Sequence, residues 1–146
     1  MEIQNRKARH DYFIEDEFES GIVLSGTEIK SIREGACNFN DSYIIVRNGE
    51  LYILNMYIGI YKQGNIFNHE ETRTRKLLMH KREILKLNDK IRLEGYTLIP
   101  LKLYFKNNKA KILVGLCKGK KNYDKRETIK ERDIKRTLEK ISKNKY

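Results

Sequence analysis

Asn48-Gly49 separates two short apolar runs, Tyr43-Ile-Ile-Val46 and Leu51-Tyr-Ile-Leu54, and no other stretch limits the fold of this chain as strongly. Both turn residues tolerate the positive φ of a type I′ turn, whose twist suits an antiparallel pair. A second hairpin is predicted further on. Leu101, Leu103 and Phe105 alternate up to Asn107-Asn108, and Ile112, Val114 and Leu116 alternate beyond it. Period 2 on both arms gives each strand one buried and one solvated face, with Lys102, Lys106, Lys109 and Lys111 on or beside the wet side. Pro100 is expected at the beginning of the first arm, where a missing N–H is tolerated. A further strand is predicted at Tyr12–Ile14, continuing irregularly through Gly21-Ile-Val-Leu24.

Two short helices interrupt these strands. Ser25-Gly-Thr-Glu28 has the form of a capping box, Ile29 and Ile32 share a face, and Gly35 stands as the C-cap. A second helix is predicted from roughly His80 to Leu87, burying Ile84 and Leu85 and ending at Asn88-Asp89. The plain reading of Arg73-Thr-Arg-Lys76 is the entry to that helix, with Leu77 and Leu78 in the core. Five or six strands in hairpins with one or two short helices give a mainly β fold. The expected form is a small closed antiparallel OB-fold-like barrel with flanking short helices, and a sandwich is the alternative.

A chain of 146 residues, 39% hydrophobic, suits one compact domain with an appendage, residues 1–117 and 118–146. The appendage holds 12 Lys or Arg against 5 Asp or Glu, so +7 of the chain's +11 lies there. Its six apolar side chains cannot offset the roughly 1–2 kcal/mol of ordering entropy per residue. Two readings stand: a polyanion-binding tail or a solubilising one. Ile134, Leu138 and Ile141 at i, i+4, i+7 would give a helix one thin apolar stripe, formed chiefly against a partner. No apolar run reaches the ~18–20 residues that span a bilayer, and the N-terminus lacks the apolar stretch of a secretory signal. A cytosolic protein is therefore expected, with Cys37 and Cys117 as two free thiols.

Catalytic motifs are missing from the sequence. It has no GxxxxGK[ST], no GxGxxG after a strand, no HExxH and no GxSxG. His10-Asp11 makes a poor base and orienting carboxylate, because neighbours on a strand point to opposite faces. Glu15-Asp16-Glu17-Glu19 reads as a solvated loop, and a metal-dependent nuclease built on it is the weakest alternative. No cofactor or metal is expected. Basic and aromatic residues are better represented, in Asn5-Arg-Lys-Ala-Arg-His-Asp-Tyr-Phe13, Arg73-Thr-Arg-Lys76 and Gly119-Lys-Lys-Asn-Tyr-Asp-Lys-Arg126. Guanidinium, amide and aromatic groups together contact phosphate and stack on unpaired bases, so RNA is the favoured ligand.

These runs resemble the SmpB family, the SsrA-binding (tmRNA-binding) proteins of bacteria. So do Phe18-Glu-Ser-Gly-Ile-Val-Leu-Ser-Gly-Thr-Glu-Ile-Lys-Ser-Ile-Arg33, Asp41-Ser-Tyr43, Thr72-Arg-Thr-Arg-Lys-Leu-Leu78 and Gly95-Tyr-Thr-Leu-Ile-Pro-Leu101, in the family's order from about Asn5 to Arg136. The resemblance implies an oligonucleotide-binding barrel, a tail disordered when free, and no catalytic activity. It implies binding to the tRNA-like domain of tmRNA and delivery to stalled ribosomes, which starts trans-translation, with the tail helical in the mRNA channel. Asn5, Glu19 and Leu78 match positions that contact or support tmRNA, and Arg6, Lys7, Arg9, Arg75 and Lys76 are their basic neighbours. Lys120, Lys121, Tyr123, Asp124, Lys125 and Arg126 match the segment that engages the decoding region, where Tyr123 stacks on an rRNA base. Glu71 stands where many members have proline, which implies a looser loop there. A monomer is expected, with no membrane partner.

Overall fold

The computed structural model describes residues 1–63 and 68–120. Lys121, Tyr123, Asp124, Lys125 and Arg126, and with them the predicted tail helix, lie outside the described residues. Along the chain the elements are β1 (Glu2–Gln4), α1 (Arg6–Asp11), β2 (Tyr12–Ile22), α2 (Gly26–Arg33), β3 (Cys37–Asn38) and β4 (Tyr43–Arg47). They continue as β5 (Glu50–Leu54), β6 (Tyr57–Ile58), β7 (Arg75–Leu78), α3 (Lys81–Glu94), β8 (Thr97–Lys106) and β9 (Lys109–Gly119).

Both predicted hairpins form. β4 pairs β5 from Tyr43↔Leu54 to Arg47↔Glu50 around Asn48 and Gly49, whose φ values are 51° and 76°. β8 pairs β9 around Asn107 and Asn108, also at positive φ. The large sheet runs β1-β8-β4-β5-β7-β2-β9, and β9 pairs back onto β8. Six strands thereby close into an antiparallel barrel, with β4 meeting β8 at the single register pair Ile44↔Leu98. The fold is the mainly β, OB-fold-like barrel that the hairpin pattern predicts, and β1 lies against it as a short outer strand on β8. Leu51, Ile53, Leu77, Leu98, Leu103, Ile112 and Val114 fill the interior, joined by Ile32 of α2 and by Ile84 and Leu87 of α3.

Strand β8 departs from simple alternation. Its register shifts between Pro100 and Lys102, so Leu101 is an extra residue. Leu103 points into the barrel, whereas Leu101 joins Ala8, Ile99 and Cys117 in a second cluster beneath α1. The strand starts at Thr97, so Pro100 lies within it, beside the bulge that excuses its missing N–H. Gly115 of β9 gives Leu101 its space: a Cβ there would lie 2.8 Å from Leu101 Cδ1 and 2.9 Å from its Cγ.

Other expectations are corrected. Glu15, Asp16, Glu17 and Glu19 are not in a loop but on β2, whose register shifts between Ile14 and Asp16. Arg75 to Leu78 forms a strand and not a helix entry, because Leu77 pairs with both Leu51 and Ile22. Helix α3 runs past Asn88-Asp89 to Glu94, because Ile91 still packs on the core and Gly95 at φ +74° ends the helix. Leu85 is 60% exposed and Leu87 takes the buried position. His10 and Asp11 lie at the end of α1, where His10 Nδ1 and Asp11 Oδ1 are 2.9 Å apart. At Glu71 the carboxylate accepts from the Tyr57 hydroxyl and the carbonyl from the Ile58 amide.

Candidate nucleic-acid interface

Glu19 and Leu78 are brought together at one cleft, which Ser20, Gly21, Met79, His80, Glu83 and Lys111 also line. Pairing of β2 with β7 places Gly21 opposite Leu78, and Leu78 is 51% exposed beside a glycine that leaves it room. Leu78 is therefore available at the surface and is not a core residue. Glu19 holds a lysine and a tyrosine: the Tyr104 hydroxyl donates to Oε1 at 2.6 Å and Lys106 Nζ lies 3.7 Å away. The bond from Tyr104 is the chief influence holding the Glu19 carboxyl below its ordinary range. Slight desolvation opposes it and the ammonium groups of Lys106 and Lys111 assist.

Asn5 lies elsewhere, against the carbonyls of Pro100 and Leu101 on β8 and outside the residues that line this cleft. It is 8% exposed and caps α1, accepting from the Ala8 amide at 3.3 Å. Its side chain donates to Pro100 O at 2.7 Å and its backbone N–H to Leu101 O at 2.8 Å. Both carbonyls lie where the β8 register shifts, so Asn5 ties the bulge to the start of α1. Arg6 and Lys7 are exposed on α1, and Arg9 lies 3.9 Å from Glu17 with half its side chain in solvent. Asn5, Lys7 and Asp11 line a separate cavity of about 170 Å³ with Tyr12, Asp41 and Ser42.

Arg75 corrects the sequence reading most sharply. Expected as a surface phosphate contact, it is 0% exposed. Its Nε donates to Glu28 Oε2 at 2.5 Å, and its Nη atoms donate to the carbonyls of Met56, Arg73, Glu70 and Glu71. Arg73 Nη2 donates to the other Glu28 oxygen at 2.6 Å. Glu28 belongs to the predicted capping box, which forms: Ser25 N donates to Glu28 Oε1 and Ser25 Oγ accepts from Glu28 N. Burial pushes the Glu28 carboxyl up, yet the bonds from Arg73, the Ser25 amide and Arg75 outweigh it and bring it to about 2. The fully engaged guanidinium ties α2 to Met56 and to the segment leading into β7 from inside and has no donor left for RNA. Lys76, the next residue, points outward and pairs with Glu50 at 3.3 Å.

Sequence reasoning missed Tyr104, Lys106 and Glu28. Tyr104 and Lys106 sit on the solvated side of their hairpin arm, which was legible, but their partner is 85 residues away from Tyr104 and depends on the β2–β9–β8 register. Lys120, the last described residue, has Nζ 5.4 Å from the Phe13 ring centroid. Burial raises the Cys37 and Cys117 thiols to about 12 and about 11, so both stay protonated. No helix among the described residues is long and apolar enough to cross a membrane.

A closed six-stranded antiparallel barrel bearing basic helices and an outward carboxylate held by tyrosine and lysine is a protein of the oligonucleotide-binding-fold class. The family model described as "SmpB protein" matches residues 2–144. SsrA-binding proteins of Staphylococcus aureus strains Newman and COL are each 57% identical over 143 residues, covering 98% of this chain and 93% of theirs. A solved structure described as "tmRNA-SmpB: a journey to the center of the bacterial ribosome" superposes with a TM-score of 0.69 at 47% identity, over 82% of this chain and 84% of that one. The chain belongs to the SmpB family.

Proposed function

We propose that this chain binds the tRNA-like domain of tmRNA (SsrA RNA) and delivers it to stalled ribosomes, enabling trans-translation. The observation that carries the reading is the near full-length likeness to proteins named SsrA-binding, within which Glu19 and Leu78 share one surface cleft. Glu19 and Leu78 meet the RNA, and Arg6, Lys7, Arg9 and Lys76 neutralise phosphates from the flanks. Asn5 acts through α1, and Arg75 supports the surface from within. Residues 1–117 form the RNA-binding body and residues 118–146 the ribosome-directed tail, although β9 carries the folded ladder on through Lys118, opposite Phe13, to Gly119, opposite Tyr12. Lys120, Lys121, Tyr123, Asp124, Lys125 and Arg126 engage the decoding region, Tyr123 by stacking on rRNA. The protein works as a monomer in the cytoplasm, by binding and not by bond chemistry.

Competition binding tests the first half. The chain should prefer tmRNA to bulk tRNA, with an affinity that falls steeply with salt as counterions are released. Equal affinity for the two RNAs would point to a generic single-strand-binding barrel instead. Tagging of incomplete polypeptides on stalled ribosomes, reconstituted with and without the tail, tests the second half.

A further inference from the structure

Glu19 is a flexible, 40% exposed side chain that the fold has nonetheless fixed. Its two contacts, the hydroxyl of Tyr104 at 2.6 Å and Nζ of Lys106 at 3.7 Å, both fall on Oε1, and Oε2 takes part in neither. Tyr104 is itself braced: Lys102 Nζ lies 5.3 Å from its ring centroid and is paired with Glu2 at 3.3 Å. Glu2 and Lys102 are held in turn by the β1–β8 register, which sets Glu2 opposite Tyr104 and Gln4 opposite Lys102.

We propose that Tyr104 is a positioning residue for RNA recognition, its hydroxyl fixing the Glu19 carboxylate so that Oε2 meets a hydrogen-bond donor of the RNA, a base N–H or a ribose 2′-OH. The inference rests on the RNA-binding reading above and goes beyond it in naming the residue and the ligand group. An ionised carboxylate only accepts. Among RNA groups it therefore repels phosphate and selects a base amino or imino group or a 2′-OH. Amid the lysines at 102, 106 and 111, which draw phosphates in, Glu19 fixes which part of a nucleotide can sit there. A glutamate free to rotate would lose that freedom on binding, and the bond from Tyr104 removes most of the loss beforehand. Desolvation, with Glu19 alongside, raises the Tyr104 hydroxyl above its ordinary range, so it stays protonated and can only donate to the carboxylate.

Tyr104→Phe in the full-length chain keeps the ring and removes the hydroxyl. In the free protein, carboxyl NMR titration should show the Glu19 pKa rising toward its ordinary value in Tyr104→Phe, and an unchanged pKa would overturn the proposal. Affinity for the tRNA-like domain of tmRNA should fall roughly three- to tenfold, with the slope of affinity against salt unchanged because no phosphate contact is lost. The double variant Tyr104→Phe/Glu19→Gln should bind no more weakly than Glu19→Gln alone. Additive losses would instead mean that Tyr104 touches the RNA directly. The titration uses no RNA, so failure of the Tyr104–Glu19 coupling is distinguishable from failure of the RNA-binding reading, which would show as equal affinity of the wild-type chain for tmRNA and bulk tRNA.

Discussion

At Glu28, a carboxylate with no side-chain exposure meets the guanidinium groups of Arg73 and Arg75, one of them equally buried. Such a pair adds little net stability compared with apolar residues, but removing one member strands the other charge in a low-dielectric interior. Arg75→Met should accordingly lower unfolding free energy by about 3–5 kcal/mol, measured by urea titration. A depressed carboxyl pKa stabilises the fold above the unfolded value, and that contribution is lost as pH falls toward the folded one. Since Glu28 lies at about 2 against an ordinary 4.5, roughly 3 kcal/mol should disappear between those two pH values. Glu28→Gln should flatten the pH dependence over that window while lowering stability at neutral pH. The basic run Arg73-Thr-Arg-Lys76 was visible in sequence, but not that its middle arginine is interior, because the partner lies 47 residues away. Asn5 is a parallel case. Its type suits a cap, whereas its second duty, at a bulge 95 residues distant, belongs to the tertiary structure. Asn5→Ala should cost about 1–2 kcal/mol and weaken RNA binding through misplacement of α1.

Among the elements, the hairpins were the most legible, since alternation and turn chemistry act locally and agree. Asn48 and Gly49 take the positive φ their types permit, and so do Asn107 and Asn108. The β8 bulge was not legible. Leu101, Leu103 and Phe105 keep period 2 in sequence, but an inserted residue turns Leu101 outward, onto the small cluster under α1. A Cβ at Gly115 would close the space that Leu101 occupies, so Gly115→Ala should destabilise the barrel by about 1–3 kcal/mol, read as a drop in thermal midpoint. Helix α3 shows the opposite weighting of local and tertiary signals. Asn88-Asp89 looked like a stop, yet continued packing of Ile91 carries the helix another turn to Gly95, whose left-handed backbone does end it.

For the whole molecule, the six-stranded ring closes through β9, whose ladder runs to Gly119. Deleting residues 121–146 should leave the thermal midpoint and tmRNA affinity close to those of the full chain while abolishing tagging on stalled ribosomes. Retained tagging would contradict the proposed division of labour. By itself the sequence determined the mainly β class, both hairpin turns, the α2 cap, the concentration of charge in the tail and, through its motifs, the family. Each of these rests on neighbours within a few residues or on short matched runs. Only the tertiary structure decided that Arg75 faces inward, that Leu78 is exposed, that Asn5 completes a bulge and that Tyr104 holds Glu19. Those outcomes depend on registers between strands tens of residues apart. Shifting a strand by one residue sends every side chain to its other face, and nothing local in the sequence fixes that choice.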